Sequence, residues 1–299
     1  MVVMLGFFMA TSRSGRGNAH ILATTAKPKF RSRKALGQHF LVSGRVLDRI
    51  VAAAELTEED LVVEVGPGRG ALTRRLVEQA GRVVAVEVDP DLAQSLGPRL
   101  GNPPSLNTVQ ADARTVGIDT LVPTDDPYKL VANLPYYAAN PIVRRFLEAS
   151  HKPTLMVLTL QQEVAYGMAA APGKMTLLSV SVQLFAEPKQ ICTVAPSSFR
   201  PPPKVKSAVL RLDVRPGLAV DVDDADDFFT TARAGFSSPR KQLRNSLSHG
   251  LGVEGTVVDR LLEEASLDGT RRPATLTLEE WARLHRTRRG TSGATAGAR

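Results

Sequence analysis

Cysteine occurs once in 299 residues, at Cys192, which excludes an internal disulfide and fits a reducing compartment. It lies in the apolar run 191–194, where a strand residue packed in the core is the expected role. Long apolar runs are missing as well. None approaches the ~18 residues needed to span a bilayer, so a soluble chain is expected. The third absence is of acid. No Asp or Glu precedes Asp48, whereas Arg13, Arg16, Lys27, Lys29, Arg31, Arg33, Lys34 and Arg45 are basic. Those eight residues carry the whole formal excess of +8, leaving a balanced body behind a cationic strap. Such a strap favours a polyanion, and neutralised phosphates would make binding salt-dependent. Residues 1–9 are apolar but have no charged start and no evident cleavage site, which argues against a secretory signal. The Arg- and Ser-bearing stretch behind them fits two origins equally. One is a transit peptide for a mitochondrion or plastid; the other is an over-extended bacterial start on a cytoplasmic protein.

The length suits one large domain with a smaller one. Residues 1–30 carry Gly, Ser, Thr and Arg without periodicity and are expected to form a disordered basic arm. Apolar residues at helical spacing over 46–54 predict a first helix. Strand and helix patterns then alternate. Strands are expected at 61–65, 83–88, 106–110, 129–132, 154–160, 190–195 and 207–212, with helices over 72–77, 90–97, 141–149, 161–170 and 175–186. This alternation predicts an α/β fold with a mostly parallel sheet covered on both faces. Near Arg215-Pro216-Gly217 the character changes to helical periodicity, at 228–236, 256–265 and 278–285. The expected organisation is therefore a main domain over 31–215, a small all-helical domain with its own core over 216–286, and a mobile tail over 287–299.

The strand 61–65 runs into Gly66-Pro67-Gly68-Arg69-Gly70, a loop that lets the backbone approach a ligand closely. Taken alone, it fits a nicotinamide enzyme and a methyltransferase about equally, with Glu87 placed for a ribose in either. Glu64 completes Glu-x-Gly-x-Gly-x-Gly, the form commoner in proteins that bind S-adenosylmethionine. Asp112 adds a second carboxylate, able to accept from an adenine amino group or to serve simply as a turn acid.

Asn133-Leu134-Pro135-Tyr136 follows the apolar run 129–132, at the carboxyl end of its strand, where ligands bind in open α/β sheets. The Asn133 side-chain oxygen and the Leu134 carbonyl, turned outward by Pro135, can each accept a hydrogen bond from an exocyclic amine. Tyr136 offers a face for a flat base. Together these contacts point to methylation of a nucleobase amino group. Phe199, set by Pro201-Pro202-Pro203, is the candidate for a second stacking face or, equally, a core anchor. Arg233, Arg240, Lys241 and Arg244 are candidates for RNA phosphates, as is Lys34 in the arm.

With these residues in hand the chain resembles the ribosomal RNA adenine dimethyltransferase family over about residues 31–286. The likeness is carried, in order, by Lys34-Ala35-Leu36-Gly37-Gln38-His39-Phe40-Leu41, the glycine loop, Val86-Glu87-Val88-Asp89, the Asp112 segment and Asn133-Leu134-Pro135-Tyr136. Further on it is carried by Phe199 to Val209 and by Arg240-Lys241-Gln242-Leu243-Arg244-Asn245-Ser246-Leu247. The resemblance implies a seven-stranded, Rossmann-like methyltransferase sheet with one antiparallel strand and a helical carboxy-terminal domain. It implies S-adenosylmethionine as cofactor, with contacts at His39, Leu41, Gly66, Gly68, Glu87, Asp112 and Asn133. A monomer acting on small-subunit ribosomal RNA in a precursor particle is expected, with no metal and no membrane. Leu134, the 240–247 segment and the full-length helical domain look like the branch that dimethylates two adjacent adenines near the small-subunit RNA 3′ end. The other branch modifies one large-subunit adenine and confers macrolide resistance; some relatives act as assembly factors with catalysis secondary. Tyr137-Ala138-Ala139-Asn140 departs from the small-subunit branch, which more usually has Asn-Ile-Ser-Thr there.

Overall fold

Leu61-Val62-Val63-Glu64-Val65 is buried at every position, Glu64 included. A strand covered on both faces belongs in the middle of a parallel sheet. The computed structural model describes residues 38–296 and places it there. The expected arm over 1–30, Lys34 and residues 297–299 lie outside the described residues.

The chain begins with a two-residue strand, β1 (Phe40–Leu41), and a helix, α1 (Gly44–Ala54), whose apolar stripe Val46, Leu47, Ile50, Val51 and Ala54 is buried. Then β2 (Leu61–Val65), α2 (Ala71–Val77), β3 (Arg82–Glu87), α3 (Pro90–Leu100), β4 (Leu106–Gln110) and a short α4 (Ile118–Leu121) alternate. Next come β5 (Tyr128–Asn133), α5 (Ala139–Glu148), β6 (Leu155–Gln161), α6 (Gln162–Met168) and α7 (Leu177–Gln183). The edge of the fold is made by β7 (Ala186–Val194), β8 (Phe199–Arg200) and β9 (Ser207–Val214). The main sheet has seven strands in the order β4-β3-β2-β5-β6-β9-β7. Only β9 runs against the others, pairing antiparallel with β6 and with β7. The chain builds outward from β2 through β3 and β4, then returns to lay β5 on the other side of β2. Beyond the carboxyl ends of β2 and β5 the strand order reverses, which leaves a crevice.

Four helices follow: α8 (Ala225–Gly235), α9 (Leu243–Leu251), α10 (Gly255–Glu264) and α11 (Leu278–Ala296). They do not have a core to themselves. Phe228, Phe229 and Trp281 belong to the apolar cluster that also holds Leu184, Phe185 and the face of the sheet carrying Leu130 and Leu158. Phe185 and Phe229 meet with ring centroids 6.2 Å apart. The expected mobile tail is corrected over 287–296, because α11 continues to Ala296. Its continuation is anchored on the acidic opening of α8: Arg286 donates to the Asp221 carbonyl, Arg288 to the Asp227 carboxylate and Arg289 to Asp223.

Helix α9 was not legible as a helix, since only Leu243, Ser246 and Leu247 of its nine residues are buried. Strand β7 starts four residues ahead of its expected position and contains Pro188, which an edge strand tolerates. A bulge between Gln190 and Cys192 interrupts its pairing with β9, and Cys192 is a free, half-buried thiol rather than a fully packed one. Among the described residues no helix is long and apolar enough to cross a membrane, and no cluster of three His, Cys, Asp or Glu side chains could hold a metal ion.

Candidate active site

A cavity opens where the strand order reverses. It is lined by the β1 segment (Gln38 to Leu41), the glycine loop, the end of β3 at Glu87 and Val88, Asn133 to Tyr137, and Phe199. The space within it open to a water-sized sphere is about 90 Å³, while the whole non-atom space, mouth included, is about 840 Å³. Only the larger figure matches a nucleoside-sized ligand, so such a ligand must also use the mouth.

The glycine loop is held open by its own geometry. Gly66, Gly68 and Gly70 all have positive φ, at 73°, 56° and 82°. A Cβ on Gly68 would come within 3.0 Å of the Phe40 ring, so glycine is needed there for space as well as for conformation. The Gly66 N–H donates to the Val86 carbonyl at 2.9 Å, which locks the loop to β3.

Two carboxylates sit beneath it. Glu87 accepts from the Gly68 N–H and the Asp89 N–H, one on each oxygen, both at 3.0 Å. Burial raises its pKa, and the two backbone donors work against that. Glu64 is 1% exposed, and its Oε2 has no hydrogen-bond partner; nor does Oγ1 of Thr73, buried on α2. Burial pushes the Glu64 carboxyl up to about 8, and the Glu87 charge adds to it. An acid so placed keeps its proton until a cationic or donor-rich ligand arrives. The motif pointed to Glu64, but its burial and unpartnered oxygen emerged only from the fold.

Asn133 ends β5. Its Nδ2 donates to the His39 carbonyl at 3.2 Å. A carbonyl only accepts, so the amide is fixed with Oδ1 turned away, and no donor among the described residues reaches that oxygen. The Leu134 N–H is used by the Thr159 carbonyl at 3.2 Å, and the Ala138 N–H by that of Pro135 at 3.0 Å, so the tetrapeptide is a pinned turn. The Tyr136 hydroxyl meets Ser207 Oγ at 2.7 Å, and its ring lies 5.7 Å from the His39 ring, tilted by 31°. Burial raises the Tyr136 pKa, so the phenol stays neutral. Nδ1 of His39 lies 2.8 Å from the Pro201 carbonyl, which makes Nδ1 the protonated nitrogen. The antiparallel pairing of β1 with β8 holds these pieces together, a closure with too few residues to read from pattern.

The cavity brings together His39, Leu41, Gly66, Gly68, Glu87, Asn133, Leu134, Pro135, Tyr136 and Phe199. Of the two roles expected for Phe199, burial favours the core anchor. At 1% exposure it is packed with Leu41, Val194 and Val209 and forms the back wall. Asp112 does not line the cavity. It follows β4 beside Glu87, whose carbonyl accepts the Ala111 N–H, but its carboxylate is gripped by Arg114 through Nε and a terminal nitrogen at 2.6–3.0 Å. Those bonds hold its pKa low. It also accepts the Arg114 N–H, so the turn-acid role is real in this state. The Arg114 guanidinium in turn lies over Tyr137, 5.7 Å from the ring centre.

The cationic candidates are elsewhere. Arg233 lies on α8, exposed; Arg240 and Lys241 are exposed in the turn before α9. Arg244, half-exposed on α9, gives its guanidinium to Asp259 on α10 through two bonds at 2.6 and 2.8 Å.

The description ribosomal RNA adenine dimethylase belongs to the family model that matches residues 29–284. The chain is similar to ribosomal RNA small subunit methyltransferase A of Dehalococcoides mccartyi (strain CBDB1), 43% identical, over 85% of this chain and 87% of that protein. It is 44% identical to the protein of the same name from Pelotomaculum thermopropionicum, over 84% of this chain and 90% of the other. Among solved structures it is similar to the 23S rRNA methyltransferase ErmE, with a TM-score of 0.67 and 29% identity over 83% of this chain and 98% of that one. A dimethyladenosine transferase from Plasmodium falciparum shares the fold, with a TM-score of 0.71 and 24% identity over 82% of this chain and 96% of the other.

Proposed function

The chain belongs to the ribosomal RNA adenine dimethylase family, and we propose that it methylates N6 of two adjacent adenines near the 3′ end of small-subunit ribosomal RNA during ribosome maturation in the cytoplasm. The small-subunit assignment draws on relatives of that name at 43–44% identity, against 29% for the large-subunit enzyme. The observation that carries the chemistry is the Asn133 amide, fixed by the His39 carbonyl with its oxygen free at the cavity.

We assign the cofactor as S-adenosylmethionine, which supplies a methyl group on an electrophilic sulfonium. Glu87 keeps lone pairs for ribose hydroxyls beside the two backbone donors, and Glu64 suits the cationic end. Asp112 would accept the adenine amine once Arg114 lets go. On the substrate side, Asn133 Oδ1 and the Leu134 carbonyl would accept both N6 hydrogens of a flipped adenine. An amine so held becomes pyramidal, and its lone pair is released from the ring toward the methyl. Positioning and fixed dipoles then supply most of the rate. The product ammonium is acidic enough to shed its proton without a strong base. Tyr136 would stack on the base and recover about 1–3 kcal/mol of the cost of unstacking it. In this reading residues 31–215 hold cofactor and base. Residues 216–286 meet RNA through Arg233, Arg240 and Lys241, with Lys34 assisting from the arm.

Incubation with labelled S-adenosylmethionine and unmethylated small subunits tests the proposal. Label should map to two neighbouring adenines; label on large-subunit RNA, or none, sinks it.

A further inference from the structure

Six large apolar side chains are exposed among the described residues: Val42, Val88, Tyr137, Tyr166, Val205 and Val257. Only Val257 belongs to the helical region. Val88 and Tyr137 border the cavity already described, but Tyr166 and Val205 do not, and nothing above uses them.

Tyr166 stands on α6, which starts where β6 ends, at the same end of the sheet as the cavity. Its side chain is held although the residue is 43% exposed. The hydroxyl takes a hydrogen bond from Gln162 Nε2 at 2.7 Å and another from Gln190 Nε2 at 3.2 Å. Thr193 and Lys206 also act on it. A pinned ring loses little further freedom when something stacks on it. Lys206, which acts electrostatically on that hydroxyl, is exposed, as is Lys204 two residues before it, and among the described residues no ion pair joins a carboxylate to either lysine.

The group is tied to the active site. The Gln162 N–H donates to the Lys206 carbonyl at 3.0 Å, and the next residue, Ser207, holds the Tyr136 hydroxyl at 2.7 Å. Tyr136 follows β5, whereas Tyr166 reaches side chains of β7, three strands away. At about 4.8 Å per strand, β7 lies on the order of 14 Å from β5. A held aromatic face flanked by unpaired cations is how single-stranded nucleic acid is carried, with bases on rings and phosphates on lysines.

We propose that Tyr166, with Lys204 and Lys206 on the adjoining phosphates, forms a subsite for a nucleobase flanking the adenine in the pocket. This rests on the adenine-methylation reading above. Two neighbouring adenines must enter one pocket in turn, and the subsite gives the waiting base a place to stack. A protein partner on the same patch is the competing occupant.

Unmethylated small subunits and labelled donor test this with Tyr166→Ala, Tyr166→Leu and Tyr166→Phe, each beside wild type. Loss of the ring should lower kcat/KM for subunits about 5- to 150-fold in the Ala and Leu variants, the worth of one stacked base. The Phe variant keeps the face and should stay within about 3-fold of wild type on the same scale. S-adenosylhomocysteine affinity should be unchanged in all three, and the two adenines should be methylated in an altered ratio. Wild-type kcat/KM in the Ala variant, equal losses in all three, or a parallel loss of S-adenosylhomocysteine binding overturns the subsite. The absence of label with wild type removes the parent reading and this one together.

Discussion

In the helical region the half-buried charged groups are paired within the chain, Arg271 with Glu280 and Arg288 with Asp227. Its one buried side-chain atom without a partner, among the described residues, is the neutral Trp281 Nε1. At the rim of the sheet the pattern is reversed. Glu64 is buried with one carboxylate oxygen unpartnered, Thr73 and Thr159 are left unpaired nearby, and three glycines sit in left-handed conformations. A buried acid that ionises without a cation is far costlier than an indole N–H without an acceptor. The rim is therefore incomplete without a ligand, and the helical region is complete as it stands. This also separates arginines that stabilise from those free to bind.

The largest effect expected from disturbing the rim is on chemistry. Asn133→Ala should lower methyl transfer about 100- to 1000-fold, as loss of one fixed polar contact to a reacting group does. Cofactor and RNA affinity should be retained, checked by single-turnover transfer beside binding titrations. Cofactor-free stability comes next. The folded protein holds the Glu64 proton up to about 8, whereas the unfolded chain releases it near 4.5. Folding thus takes up a proton between those limits, so the destabilisation due to Glu64 is absent below about 4.5 and grows as pH rises toward 8. The loss should be on the order of 2–4 kcal/mol, read by urea unfolding across that range, and Glu64→Gln should flatten it.

Gly68→Ala should cost about 1–2 kcal/mol through its positive φ and weaken cofactor binding as Phe40 is displaced. Calorimetric melting and S-adenosylhomocysteine titration check both. The smallest effects separate two arginines of the helical region. Arg244→Ala should lower the melting temperature with RNA affinity kept. Arg240→Ala should leave melting unchanged and reduce the salt slope of RNA binding by about one. Interchanged outcomes would erase the distinction between paired and free cations.

Much of this was legible in advance. The strand 61–65 falls where its apolar run predicts, because β-branched residues buried on both faces leave few alternatives. The cofactor loop and the 133–136 turn were legible because glycine and proline constrain the backbone wherever they stand. Side-chain partnerships were not. Asp112 and Arg114 are two residues apart, a spacing that carries no periodic signal, and Ser207 lies 71 residues from the Tyr136 it anchors. Arg244 read as a cation because charge is visible in a sequence and its neutralisation by Asp259, 15 residues on, is not.

By itself the sequence determined the alternation of strands and helices, the glycine loop and the amide-turn-aromatic tetrapeptide, since each follows from local sterics or short-range patterning. Only the tertiary structure decided that β2 and β5 stand side by side, that Glu64 is left with an unpartnered oxygen beneath the loop and that Phe199 is buried in the cavity wall. Burial and pairing depend on which distant segments meet, and that is settled by packing the whole sheet at once.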